Sequence, residues 1–228
     1  MAVTRRTFRR LSLPPVTQLT DSHCGPAVIQ ALLGHVDILV SQDDVVDAAR
    51  AKSRLKKHGT RPDQLARAVR RLAPDITFWV KQHTSKHDLE TLLHEQRWPV
   101  VVNWQGLFYG TVEEEKLKHP YGNRGHYSIV LGINVEKDKI IIMDPYREFS
   151  TQPREFSLKW FEKRWHDEDC EKDPETGLEI KVKTKRMMFL LAPKDVTFPK
   201  ELHMEEQQIL TFAERAENAE PVPTFKAV

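Results

Sequence analysis

The hydrophobic pattern changes period near the middle of the chain. Residues 25–33 read GPAVIQALL, apolar on nearly every face, which predicts a helix buried all round. A proline in its first turn fits, because the backbone N–H groups there have no intrahelical partners. Three further helix starts follow as capping-box spacings: Ser41 to Asp44, Thr60 to Asp63 and Ser85 to Asp88. The second leads into Leu65, Ala68, Val69 and Leu72, one stripe of an amphipathic helix, and the third into Leu89, Leu92 and Leu93.

From Pro99 the pattern is strand-like. Val100-Val101-Val102, the run from His126 to Ile133, Lys139 to Met143, and Met187 to Leu191 all read as strands. Asn134 to Asp138 is rich in turn formers, so the second and third runs form a β-hairpin. Helices followed by strands predict an α+β fold, a helical N-terminal half packed on an antiparallel sheet. Trp160, Phe161 and Trp165 after Ser157 read as the core stripe of a late helix. Two segments read as insertions. Residues 104–125 lie between a strand and His126 and so rim whatever His126 serves, and the charged residues 166–186 read as a solvated loop or extended hairpin.

The ends differ in composition. Residues 1–13 carry Arg5, Arg6, Arg9 and Arg10 and read as a flexible, solvated basic arm, and residues 14–193 as one domain. Residues 194–228 form a polar tail whose last ~15 residues are expected to be disordered. In total 35 basic residues face 33 acidic ones, a balance that does not point to nucleic acid. No stretch reaches the ~20 apolar residues of a membrane helix, and the N-terminus lacks the apolar run of a signal peptide. The expected setting is the cytoplasm, with no membrane partner. The two cysteines, Cys24 and Cys170, supply no disulfide framework.

Cys24 opens the buried helix, where the positive end of the helix dipole favours a thiolate, the nucleophilic form. Gln18, just upstream, is placed to offer an amide N–H to a developing oxyanion. The base must come from elsewhere, and the chain has 10 histidines. His126 begins an apolar strand, and Asp144 ends the next one in Met143-Asp144-Pro145-Tyr146. Pairing of those strands as a hairpin brings His126 and Asp144 side by side. The acid then fixes the imidazole tautomer, and the imidazole serves Cys24. His23 is expected to turn away from Cys24. Tyr146 and Trp104 are placed near the cleft by neighbourhood alone. No Cys-x-x-Cys pair suggests zinc. The expected chemistry uses neither metal nor cofactor.

The stretches QLTDSHCGPA, GHYSIVLGI and DPY, in this order, resemble the C39-like cysteine peptidases of the papain-like superfamily. The resemblance covers about residues 14–165 and implies a papain-like fold. It also implies working roles for Gln18, Cys24, His126 and Asp144, and a peptide or protein substrate. The best-known members are domains of exporters that cut leader peptides after a double glycine. This chain has no apolar stretch to match the exporters' membrane domain, and it adds residues 104–125 beside the histidine. The expected activity is cysteine-dependent hydrolysis of a peptide or other amide bond. An acyltransferase with the same thioester chemistry and a non-catalytic peptide-binding module are the alternatives.

Overall fold

A computed structural model describes residues 10–109, 111–118, 124–172, 179–209, 212–216 and 220–221. The helices are α1 (Cys24–His35), α2 (Gln42–Ala49), α3 (Lys52–His58), α4 (Pro62–Leu72), α5 (Lys86–Glu90, continued by a π-helical turn over Thr91–Glu95), α6 (Val112–Lys118), α7 (Leu158–Arg164) and α8 (Phe212–Ala216). The strands are β1 (Ile76–Lys81), β2 (Val100–Gln105), β3 (Gly125–Asn134), β4 (Lys139–Met143), β5 (Arg154–Ser157), β6 (His166–Lys172), β7 (Glu179–Lys185), β8 (Met188–Pro193), β9 (Glu205–Glu206) and β10 (Glu220–Pro221). A seven-stranded sheet runs β5-β4-β3-β2-β8-β1-β9, with every pairing antiparallel. A second sheet, β10-β7-β6, is built on the β6–β7 hairpin.

The α+β layout predicted from the pattern is the one observed. Helix α1 packs on β3, and α2 and α4 pack on α1. Val28, Ile29 and Leu33 of α1 are fully buried, as an all-round apolar helix requires. Ser41 and Ser85 cap their helices, each as a full capping box. The helix predicted to start at Thr60 instead starts one residue later. Pro62 takes the first helical position, and Gln64 Oε1 accepts the N–H of Arg61, the N-cap, at 3.1 Å.

The β3–β4 hairpin forms as the turn residues predict, with Asp138 in the left-handed region (φ 52°). Its register shifts between Val130 and Gly132. Leu131, left out of the ladder there, has its carbonyl satisfied by the N–H of Leu11 at 2.8 Å. Leu11 and Leu13 are buried in the core, so the domain takes in the last residues of the expected basic arm. Residues 1–9 of that arm lie outside the described residues. The expected polar tail is likewise engaged at its start. Leu202 is buried, Glu205–Glu206 pairs with β1, and the Gln207 N–H reaches the carbonyl of Phe78. The expected disorder of the last ~15 residues falls mostly outside the described residues. The described residues there form Phe212–Ala216 of α8 and the two-residue strand β10. The aromatic stripe after Ser157 is α7 with Trp165 behind it, and Phe161 and Trp165 are fully buried.

Candidate active site

Helix α1 delivers Cys24 at its first residue, a buried free thiol. Helix α4 fixes its surroundings. A Cβ on Gly25 would stand 2.1 Å from Thr60 Oγ1, so only glycine lets the 57–62 segment approach the start of α1 this closely. Tyr127 ties that segment to β3 by donating its hydroxyl to the Thr60 carbonyl at 3.3 Å.

The hairpin brings His126 and Asp144 together. His126 Nε2 lies 2.7 Å from Asp144 Oδ1, and both side chains are buried. Cys24 lies close enough to the imidazole to add to its pKa shift. Burial opposes charge on His126. The charge and hydrogen bond of Asp144, with the hydrogen bond and charge of Cys24, outweigh it and push the imidazole up to about 10. Asp144 responds in the opposite sense. Burial works against its ionisation, but His126, Arg154 and the Tyr146 N–H hold the carboxyl below its ordinary value.

Gln18 is buried on the same side as Asp144. Its backbone N–H donates to the Pro145 carbonyl at 2.8 Å, and its Nε2 donates to the Thr20 carbonyl at 2.8 Å. The second hydrogen on Nε2 remains to be used, and Oε1 has no partner. His23 is occupied by Thr20, with 2.6 Å between Nδ1 and the hydroxyl oxygen, and burial lowers its pKa.

Several residues around this set were not read from the sequence. Arg154, from β5, pairs with Asp144 Oδ2 and donates to the Leu107 carbonyl at 2.9 Å, and its guanidinium lies 3.7 Å from the Phe149 ring centroid. Phe108 stands edge-on to His126 at 5.0 Å and to Tyr146 at 4.9 Å. From the 104–125 segment, Phe108 therefore rims the histidine. Gln42 of α2 clamps the Gln18 backbone from both sides, donating to the Thr17 carbonyl and accepting the Leu19 N–H. Trp104 supports β3 from behind, fully buried with its Nε1 on Ser128 Oγ at 3.1 Å.

A cavity of about 540 Å³ opens beside Cys24, lined also by Thr60, Asn103, Gly125, Tyr127 and Asp167. Within the 166–186 segment β6 and β7 pair as extended strands, but Asp167, Glu168 and Asp169 line this cavity and are not simply solvated. Gly125 admits it: a Cβ there would lie 2.3 Å from Asp167 Oδ2. Among the described residues, no helix is long and apolar enough to cross a membrane, and no group of three or more His, Cys, Asp or Glu is placed to hold a metal ion.

With a cysteine at the start of α1 and a histidine at the start of β3, an interior strand of the antiparallel sheet, the chain is of the cysteine peptidase class. The chain belongs to the Peptidase_C39 like family, whose model matches residues 10–172. In structure it is similar to the peptidase domain of Streptococcus ComA, a bi-functional ABC transporter involved in a quorum sensing pathway. That match has TM-score 0.51 and 18% identity, and covers 79% of this chain and 98% of that one. It is also similar to a double glycine motif protease from an AMS/PCAT transporter, solved in complex with the leader peptide. Here the TM-score is 0.51 and the identity 16%, over 84% of this chain and 97% of that one. No curated protein matches the chain.

Proposed function

We propose that this peptidase works through a Cys24–His126–Asp144 triad with an oxyanion hole completed by Gln18. The observation that carries the reading is His126 itself. It is buried, held by Asp144 at 2.7 Å and electrostatically coupled to Cys24, so it stands between an acid and a nucleophile. With the imidazole raised to about 10, His126 carries its proton at neutral pH, and its charge favours an ion pair with Cys24.

The Cys24 thiolate attacks the scissile carbonyl and forms the C–S bond. The Cys24 backbone N–H and the unused Nε2 hydrogen of Gln18 receive the developing oxyanion. His126 gives its proton to the amine as the C–N bond breaks, leaving a thioester. His126 then takes a proton from water, the hydroxide attacks the thioester, and the acid leaves as the thiol is restored. Asp144 stays ionised and holds the ring in one orientation. The substrate is a peptide or protein segment. The need for a reduced Cys24 fits a cytoplasmic setting.

The test is iodoacetamide labelling of Cys24 from pH 5 to 9, read by mass spectrometry, in wild type and His126→Ala. The ion pair predicts labelling at pH 6 that the variant loses. Equal labelling of both at pH 6 would remove the triad.

A further inference from the structure

The cavity beside Cys24 has a wall that hydrolysis does not use. Its carboxylates are mostly neutralised by neighbours. Asp21 pairs with Arg147 at 2.9 Å, Asp63 with Arg61 at 2.9 Å, Glu168 with Lys181 at 3.0 Å and Asp169 with Arg54 at 2.9 Å. Asp167 differs. Its oxygens accept from Asn103 Nδ2 at 3.0 Å, from Gln105 Nε2 at 3.2 Å and from the Glu168 N–H at 2.9 Å, but no cation pairs with it among the described residues. The nearby Arg124 has its guanidinium over the Phe108 ring instead.

Three more polar atoms on this wall lack a partner among the described residues. They are Thr60 Oγ1 and Asn103 Oδ1, on residues only 7% and 3% exposed, and Thr184 Oγ1. Leaving such atoms unpaired is costly unless something that enters satisfies them. Around Asp167 the wall thus combines one unneutralised carboxylate, one amide oxygen and two hydroxyls, while Lys57, Arg61, Arg124 and Arg215 line other parts of the cavity. It is rich in acceptors, and an ammonium or guanidinium group is rich in donors and has no acceptor.

We propose that Asp167 makes this cavity a selectivity pocket for a cationic group, so that the substrate is a peptide carrying a lysine or arginine next to the bond that Cys24 attacks. This rests on Cys24 being the nucleophile, as argued above. The substrate's charged head reaches Asp167, with Asn103 and Thr60 taking its remaining hydrogens, and its aliphatic stem lies along Tyr127 and Met187 of the cavity wall. Burial raises the Asp167 carboxyl from its ordinary value, the state that an incoming cation relieves. Asn103, Tyr127 and Gly125 belong to β2 and β3, the strands that also carry Trp104 and His126, so the pocket is rigidly registered to the nucleophile.

The test separates selectivity from turnover. Cys24 in the full chain is modified with cationic 2-aminoethyl methanethiosulfonate and with neutral methyl methanethiosulfonate, and the rate ratio is read by mass spectrometry of the Cys24 peptide. Asp167→Asn should lower the cation-to-neutral ratio about tenfold, as loss of one partly buried charge near the thiol implies. Asp169→Asn, whose charge is already paired, should change it much less. In parallel, wild type is offered peptide sets with lysine, norleucine or glutamate on either side of the scissile bond, and lysine should give the highest kcat/KM at one position. This arm needs no variant to fold. An unchanged reagent ratio in folded Asp167→Asn, or no lysine preference at any position, would overturn the proposal. If the neutral reagent labels wild type no faster than His126→Ala, the nucleophile reading itself fails, and the pocket proposal falls with it.

Discussion

Behind His126 both oxygens of Asp144 are occupied: Oδ1 by His126 and the Tyr146 N–H, Oδ2 by Arg154. Across the cavity, among the described residues, Asp167 has no cation, and Thr60 Oγ1 and Asn103 Oδ1 have no partner. One wall is closed on itself and the other is left incomplete. A buried charge network holds one geometry only when all its members are satisfied, which suits groups that must not move during reaction. Unsatisfied groups suit the side that waits for a ligand, because the missing partner then sets the specificity.

The contrast breaks most sharply at the closed wall. His126→Ala should lower kcat/KM by 10³-fold or more while the circular dichroism spectrum stays native, since loss of the base removes both proton transfers. The same variant tests pH. The His126 pKa is raised from 6.5 to about 10 on folding. Its contribution to stability is therefore complete below pH 6.5 and is lost as pH rises towards 10. Wild type should show a melting temperature that falls over this window, and His126→Ala a flatter one.

Arg154→Met comes next. It leaves Asp144 buried with one partner fewer, which should cost about 3–5 kcal/mol of stability in urea titrations. Folded protein should also hold the His126 proton more tightly, moving the alkaline limb of the rate profile up, and Arg154→Lys should restore part of both. Gln18→Ala, which takes away the oxyanion donor proposed above, should lower kcat by about 10²-fold with KM little changed. A fall confined to KM would assign Gln18 to substrate binding instead.

The smallest effect belongs to the open wall. Folding raises the Asp167 pKa, so below its unfolded value near 3.8 the residue carries no penalty, and the penalty appears as pH rises through the folded value. Asp167→Asn should therefore melt no lower than wild type at pH 7, with a difference that shrinks towards pH 4. A large loss of stability at pH 7 would make Asp167 part of the scaffold and erase the contrast between the walls.

What the sequence made legible was local. The start of α1 is visible because proline and an all-apolar run mark it, and the meeting of His126 and Asp144 follows from a single hairpin register. Arg154 and Asp167 were not legible, since each reaches the site through a separate strand whose pairing no short-range pattern announces. Strand β5, REFS, is too short to show a convincing period, and β6, HDEDCEK, has the composition of a loop. Strand β1, ITFWVK, was passed over although its β-branched and aromatic residues mark it. The one-residue slip at α4 had a signal of its own: Pro62 favours the first helical position, which makes Arg61 the N-cap and leaves Thr60 to the cavity.

Gly125 joins β3 to the β6–β7 hairpin, because only a residue without a Cβ leaves room for the Asp167 carboxylate. The hairpin is thus a jaw that closes on the site through one small residue. Anyone retargeting the protein can randomise 167–169 and leave the nucleophile's scaffold alone, provided that glycine is kept. Any larger residue there would unseat the jaw and blunt the choice of substrate before it touched the chemistry.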